Sequence, residues 1–221
     1  MWHTASQKYT GDHIGRLTLV EFRELGVRHS FEVTPKIFAD DRGLFTEWFR
    51  SDHLEKHTGR TFATVQANLS RSQRGVVRGI HFASVPPSQA KFVTCVSGAV
   101  LDFVVDIRVG SPTFGQWDSV LLDDVDRKGI FIPEGLGHAF VALTEDAVVS
   151  YLVTAPFNAE REHGIDPTDP AVGLAFPDDL GPLKLSPKDT DAPSLAQAHE
   201  MGLLPTYDET VAYYEQLRTG A

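Results

Sequence analysis

Between about Phe31 and Thr154 the hydrophobic positions fall in short apolar or alternating runs separated by Gly, Pro, Asp and Ser. That is the pattern of an all-β sandwich or barrel. From Ala99 to Val109 the alternation is clearest: Leu101, Phe103, Val105 and Ile107 share one face, and Asp102, Val104, Asp106 and Arg108 share the other, the period of a strand. The preceding run, Lys91 to Val96, joins it through Ser97-Gly98, a short hairpin-type turn signal. Further strands are predicted at Val76–Phe82, Val120–Leu122, Gly129–Ile132, Ala139–Leu143 and Val148–Thr154, with Thr144-Glu145-Asp146 turning between the last two. Helices are few, short and peripheral. Ser51 is expected to cap one that runs through His57 and stops at Gly59. Thr206 and Glu209 have the spacing of a capping box, ahead of a stripe of Val211, Tyr214 and Leu217. The Pro- and Asp-rich stretch from Pro177 to Pro193 reads as a long surface connection.

With 221 residues, 42% of them hydrophobic, the chain has material for one core. A single domain is therefore expected over residues 1–221, with its core at about 30–177 and a C-terminal extension from about 178. The single cysteine, Cys95, lies in a predicted buried strand, so no disulfide framework exists and a reducing compartment fits. Lys8, Asp12, Arg16, Glu21 and Arg23 interrupt the stretch from Met1 to Arg28, which lacks the continuous apolar region of a secretory signal. No later segment approaches the roughly 20 apolar residues of a membrane span. A soluble cytoplasmic protein with no membrane partner is expected. The net charge of −10 argues against nucleic acid as a partner, yet allows a small anionic ligand held by a few arginines.

Three groups can carry chemistry: Arg78-Gly79-Ile80-His81, the turn Pro133-Glu134-Gly135-Leu136-Gly137-His138, and Tyr151 in an otherwise apolar strand. Taken singly, each has a structural alternative, a hydrogen-bonded core histidine or a packed tyrosine. The Pro-x-Gly-x-x-His spacing at Pro133–His138 is similar to the second half of the metal-binding pattern of cupin barrels. The first half is absent: Ala83 stands where a second histidine belongs, and Lys91, with six residues between it and Gly98, replaces the carboxylate. Two ligands of a needed three remain. The expectation is a cupin-type double-stranded β-helix, a jelly-roll barrel with short peripheral helices, and no metal.

More segments resemble one family in order: Asp41-Arg42-Gly43-Leu44-Phe45-Thr46-Glu47, Gln66-Ala67-Asn68-Leu69-Ser70, Val77-Arg78-Gly79-Ile80-His81, Pro86-Pro87-Ser88-Gln89-Ala90-Lys91, Gly110-Ser111-Pro112-Thr113-Phe114-Gly115, Ile132 to His138, Tyr151, and Asp169 to Pro177. Together they resemble the dTDP-4-dehydrorhamnose 3,5-epimerases, particularly the branch that makes deoxysugars for antibiotics and other secondary metabolites. The resemblance implies an isomerase without cofactor. It would epimerise a dTDP-linked 4-keto-6-deoxy sugar at C3, with C5 inverted as well only if the ring can re-seat. A single-position epimerase is the alternative; a metal-dependent cupin oxygenase and a non-catalytic sugar-nucleotide binding protein are less favoured.

The chemistry needs a base and an acid on opposite faces of a carbon beside a ketone. The resemblance gives His81 as base, Asp169 as its carboxylate partner, Tyr151 as acid, and Lys91 beside the C4 oxygen to stabilise an enolate. It also implies that Arg42 and Arg78 hold the diphosphate, a task for forked guanidinium donors. Phe45 and Glu47 would reach into the neighbouring subunit of a homodimer, and Gln66, Asn68 and His138 would line the sugar pocket. Alone, Arg42 reads as a solvent-facing salt bridge and Phe45 as core packing, and His138 could equally hold a structural hydrogen bond. Phe157 falls where the family carries a tyrosine that stacks on the base.

Overall fold

The computed structural model describes residues 20–219. Most of the polar N-terminal stretch discussed above lies outside the described residues. The strands are β1 (Glu21–Glu24), β2 (Phe31–Thr34), β3 (Ile37–Asp40), β4 (Gly43–Thr46), β5 (Gln66–Ser72), β6 (Val77–Ala83), β7 (Lys91–Ser97), β8 (Ala99–Val105), β9 (Trp117–Asp123), β10 (Gly129–Ile132), β11 (Gly137–Ala142), β12 (Ala147–Val153) and β13 (Glu162–Gly164). Two sheets enclose the core, one in the order β1-β2-β10-β7-β12-β5, the other β13-β6-β11-β8-β9; β3 and β4 form a separate hairpin. All the strand pairings are antiparallel.

Successive strands mostly cross from one sheet to the other, as in a jelly-roll barrel. Ser97-Gly98 is therefore not a hairpin, because β7 and β8 belong to opposite sheets. Gly98 makes the corner at φ +76°, and a Cβ there would lie 2.3 Å from Thr144 Oγ1. The space that admits the crossing exists only because glycine fills it.

Strand alternation sorts the apolar side chains into layers. Val93, Val100, Val104, Ile130, Ile132, Phe140 and Val149 meet inside the barrel. The opposite faces of β6, β8 and β11 send Val77, Ile80, Phe103, Val105 and Val141 outward beneath a cover of Val172, Leu174, Leu180 and Leu195. Phe92 and Phe131 pack outside the other sheet with Leu54 and Phe62. The polar-looking side of Ala99–Val109 thus faces inward, and Asp102, Asp106 and Arg108 are all fully buried. Burial of Asp106 and Arg108 is possible because they pair with each other at 2.7 Å.

Helix α1 (Ser51–Thr58) ends at Gly59, but its N-cap is Arg50, which makes no side-chain capping bond, so Ser51 is the first helical residue. In α4 (Tyr207–Thr219) the Thr206 hydroxyl both accepts from Glu209 N and donates to the Glu209 carboxylate. The segment from Pro177 to Pro193 is not a surface connection. Lys184 bridges to Val76, and α2 (Pro187–Thr190) carries Asp189 into the interior, followed by α3 (Leu195–Glu200). Its apolar residues are too sparse for a helical pattern, and their burial comes from docking onto the outer face of β6 and β8.

Candidate active site

The polar residues of the interior are placed by the same alternation. On β7 and β12 the inward positions that carry Val93 and Val149 also carry Lys91 and Tyr151. Tyr151 lies opposite Val93, and Lys91 opposite Val153, so the two are diagonal neighbours at about 7–8 Å. Asn68 on β5 lies opposite Tyr151 on the other side. On the facing sheet, His138 of β11 pairs in register with His81 of β6, and Phe140 with Arg78.

That last register contains an irregularity on which the site depends. From His138 to Phe140 is two residues on β11, whereas from His81 to Arg78 is three on β6. In a regular strand residues three apart face opposite ways; the extra residue of a bulge turns Arg78 and His81 to the same side. Gly79 makes this possible at φ +119°, since a Cβ there would sit 2.4 Å from the His138 carbonyl oxygen.

His81 Nε2 lies 2.6 Å from Asp189 Oδ1. The carboxylate beside His81 is thus Asp189, and not Asp169 as the resemblance implied. Asp169 is buried elsewhere, with its two oxygens accepting Ala171 N at 2.9 Å and Leu195 N at 2.8 Å. Asp189 also accepts the Ser186 hydroxyl at 2.8 Å. Burial works to raise the Asp189 pKa, and the bonds from His81 and Ser186 outweigh it, so the carboxylate stays ionised below its ordinary range. The one signal for Asp189 in the sequence is the Ser186-x-x-Asp189 spacing of a capped turn, which says nothing about docking.

Burial lowers the pKa of Lys91, an effect opposed by Glu162 and Asp102 and reinforced by Lys188. Burial raises the pKa of Tyr151, Arg78 lowers it and Glu162 raises it, leaving a protonated phenol at neutral pH. Glu162 and Lys188 therefore belong to the same electrostatic neighbourhood, although no sequence motif marked them. His138 Nε2 is 3.0 and 2.9 Å from the two oxygens of Asp102, whose pKa is raised by burial against the pull of His138 and Lys91. Among the described residues no group of three His, Cys, Asp or Glu side chains is arranged to hold a metal ion.

The remaining sequence-predicted residues divide into two sets. Gln66 donates to Asn68 at 2.7 Å and accepts Phe157 N at 3.1 Å, which brings the exposed Phe157 beside the inward row of β5. Arg78 Nε donates to Ser72 Oγ at 3.1 Å. By contrast, Arg42 pairs with Asp40 in its own hairpin, Glu47 approaches Arg50 at 3.6 Å, and Phe45 is 64% exposed against Phe38. None of these three bonds to the barrel interior of its own chain among the described residues.

An imidazole backed by an ionised carboxylate on one wall, facing a protonated phenol and a lysine on the other, suits proton transfer on two sides of one carbon. With the fold, it defines a carbohydrate epimerase on a cupin-like barrel. The dTDP-4-dehydrorhamnose 3,5-epimerase family profile matches residues 24–197, and the chain belongs to that family. It is 56% identical over 196 residues, 89% of this chain and 96% of the other, to a dTDP-4-dehydrorhamnose 3,5-epimerase of Mycolicibacterium smegmatis. NovW, a 4-keto-6-deoxy sugar epimerase from the novobiocin biosynthetic gene cluster of Streptomyces spheroides, superposes with a TM-score of 0.85 at 48% identity, covering 88% of this chain and 97% of NovW. ChmJ, a 3'-monoepimerase from Streptomyces bikiniensis in complex with dTDP-quinovose, gives 0.86 at 42% identity, covering 89% and 99%.

Proposed function

We propose that this isomerase inverts C3 of a dTDP-linked 4-keto-6-deoxyhexose, and C5 where the ring can re-seat, in the cytoplasmic synthesis of a deoxysugar for a secondary metabolite. The observation that carries the reading is that His81 and Tyr151 stand on opposing sheets of one barrel. His81 removes the proton beside the ketone, and the C–H electron pair moves onto the C4 oxygen as an enolate. With Nε2 held by Asp189, Nδ1 is the ring nitrogen left for the substrate. Asp189 orients the imidazole and stabilises the imidazolium that forms. Lys91 supplies positive charge to the enolate oxygen in a buried setting, where such stabilisation is strongest. The Tyr151 phenol then protonates the carbon from the opposite face, and exchange with water resets both groups.

Arg78 and Arg42 hold the diphosphate, Gln66 and Asn68 the sugar, and Phe157 the base. Arg42, Phe45 and Glu47 serve the partner's site in a homodimer, a role consistent with a hairpin that exposes Phe38 and Phe45 to solvent. Sedimentation tests the dimer: a fully active monomer at assay concentration overturns it.

The reaction is tested by incubating dTDP-4-keto-6-deoxyglucose with the protein in deuterated water and following the sugar by NMR. Deuterium at C3 is expected in every case, with C5 labelling added if the ring re-seats. Absence of label at both carbons removes the reading. Label at C5 without C3 refutes the ordering and leaves a C5 epimerase.

A further inference from the structure

Asp189 reaches His81 from a segment that is not part of the barrel, so something must hold that segment in place. Upstream, Val77 N donates to Lys184 O at 3.0 Å and Lys184 N to Gly75 O at 2.9 Å. Downstream, two bonds meet the loop that follows β13. Asp166 N donates to Pro193 O at 2.9 Å, and Leu195 N, at the first position of α3, donates to Asp169 Oδ2 at 2.8 Å. The loop is itself registered on β6 one residue from His81, through the reciprocal bonds of Ile80 and Ile165 at 3.1 and 2.9 Å. Asp169 braces the loop from within, since Oδ1 accepts Ala171 N and its carbonyl accepts Val172 N at 3.0 Å and Gly173 N at 2.9 Å.

Resting on the epimerase reading above, we propose that Asp169 is a positioning residue that acts through Asp189: its carboxylate clamps the start of α3 to the loop carried by β6 and thereby sets the Asp189–His81 contact. Both of its oxygens accept backbone N–H groups, and it is only 6% exposed. A side-chain amide offers one acceptor and one donor, so Asp169→Asn must leave a buried N–H unpaired or facing another donor. The base and its partner would both remain, with their mutual geometry loosened.

A double-mutant cycle measured as C3 deuterium exchange tests this. Asp169→Asn is expected to lower kcat about tenfold, the loss of one hydrogen bond to a charged group, with KM changed far less. The acid limb of its pH–rate profile should move in the same direction as that of Asp189→Asn. On the Asp189→Asn background, Asp169→Asn should cost nothing further in kcat. Hydrogen exchange by mass spectrometry should show residues 186–200 opening while β6 stays protected. Should Asp169→Asn fail to fold, Leu195→Pro removes the donor instead, at a helix position that tolerates proline, with Leu195→Ala as the control for the buried side chain lost with it.

Independent, multiplying losses in the double mutant, or normal kcat in the single mutant, overturn the proposal. If the unmodified protein puts deuterium at neither C3 nor C5, the epimerase reading fails first, so the two failures are distinguishable.

Discussion

Replacing Asp189 with asparagine keeps the side-chain volume and removes the charge that faces His81. The contact is 2.6 Å long; the Asp189 side chain is 5% exposed and that of His81 33%. A hydrogen bond to a charged group contributes about 1.5–3 kcal/mol, and the partial exposure of His81 places this one toward the lower end. The bond strengthens as the imidazole takes up its proton, so most of this energy is lost from the transition state and little from the bound substrate. At about 1.4 kcal/mol per tenfold, kcat should fall roughly 10- to 30-fold, with KM little altered. The assay is C3 deuterium exchange at saturating substrate, with a melting curve to show that the variant is folded. A folded Asp189→Asn protein with unchanged kcat would refute the assignment of Asp189 as the partner of the base.

Four further outcomes are expected. His81→Ala should remain folded and lose about 10²–10⁴-fold in exchange, the range of general-base catalysis; near-normal exchange removes His81 from the mechanism. Tyr151→Phe should impair inversion more than the first proton loss, so exchange with retention survives, whereas equal loss of both argues against an acid on the opposite wall. Exhaustive dialysis against a chelator should leave activity intact, because Lys91 stands where a carboxylate ligand belongs; loss restored by iron would revive the oxygenase alternative. Arg60 and Glu134 form an ion pair with side chains 9% and 4% exposed. Arg60→Met strands the Glu134 charge at a cost of about 3–5 kcal/mol, a fall in Tm of roughly 6–20 °C for a chain of this size, and an unchanged Tm contradicts it.

The barrel was legible in the sequence because strand periodicity is local. Short apolar or alternating runs located β6, β7, β8, β9, β10, β11 and β12, most of them to within two or three residues at each end. β5 escaped that test because its inward positions, Gln66, Asn68, Ser70 and Ser72, are polar, while the outward Leu69 is 69% exposed. A strand that lines a polar pocket inverts the usual pattern, so it was found only as a motif. The short strands β1 to β4 and β13 carry too few residues for a period to register and lack the continuous, strand-long apolar run that marked the equally short β10.

By itself, the sequence determined the all-β class through periods within single strands, and the order of its motifs along the chain carried the resemblance that implies proton transfer by His81, Lys91 and Tyr151. Tertiary structure alone decided which sheet each strand joins, since a single glycine at φ +76° turns Ser97-Gly98 from a hairpin into a crossing. It also decided that Arg78 and His81 share a side, through a bulge whose existence depends on the close approach of β11 to Gly79. Above all it chose Asp189 over Asp169. The two carboxylates lie twenty residues apart in one C-terminal stretch, and neither its composition nor its spacing distinguishes them. His81 and Asp189 are separated by 108 residues. Burial of the apolar residues around α2 and α3 against the outer face of the barrel brings them together, and backbone bonds to the loop after β13 set the final placement.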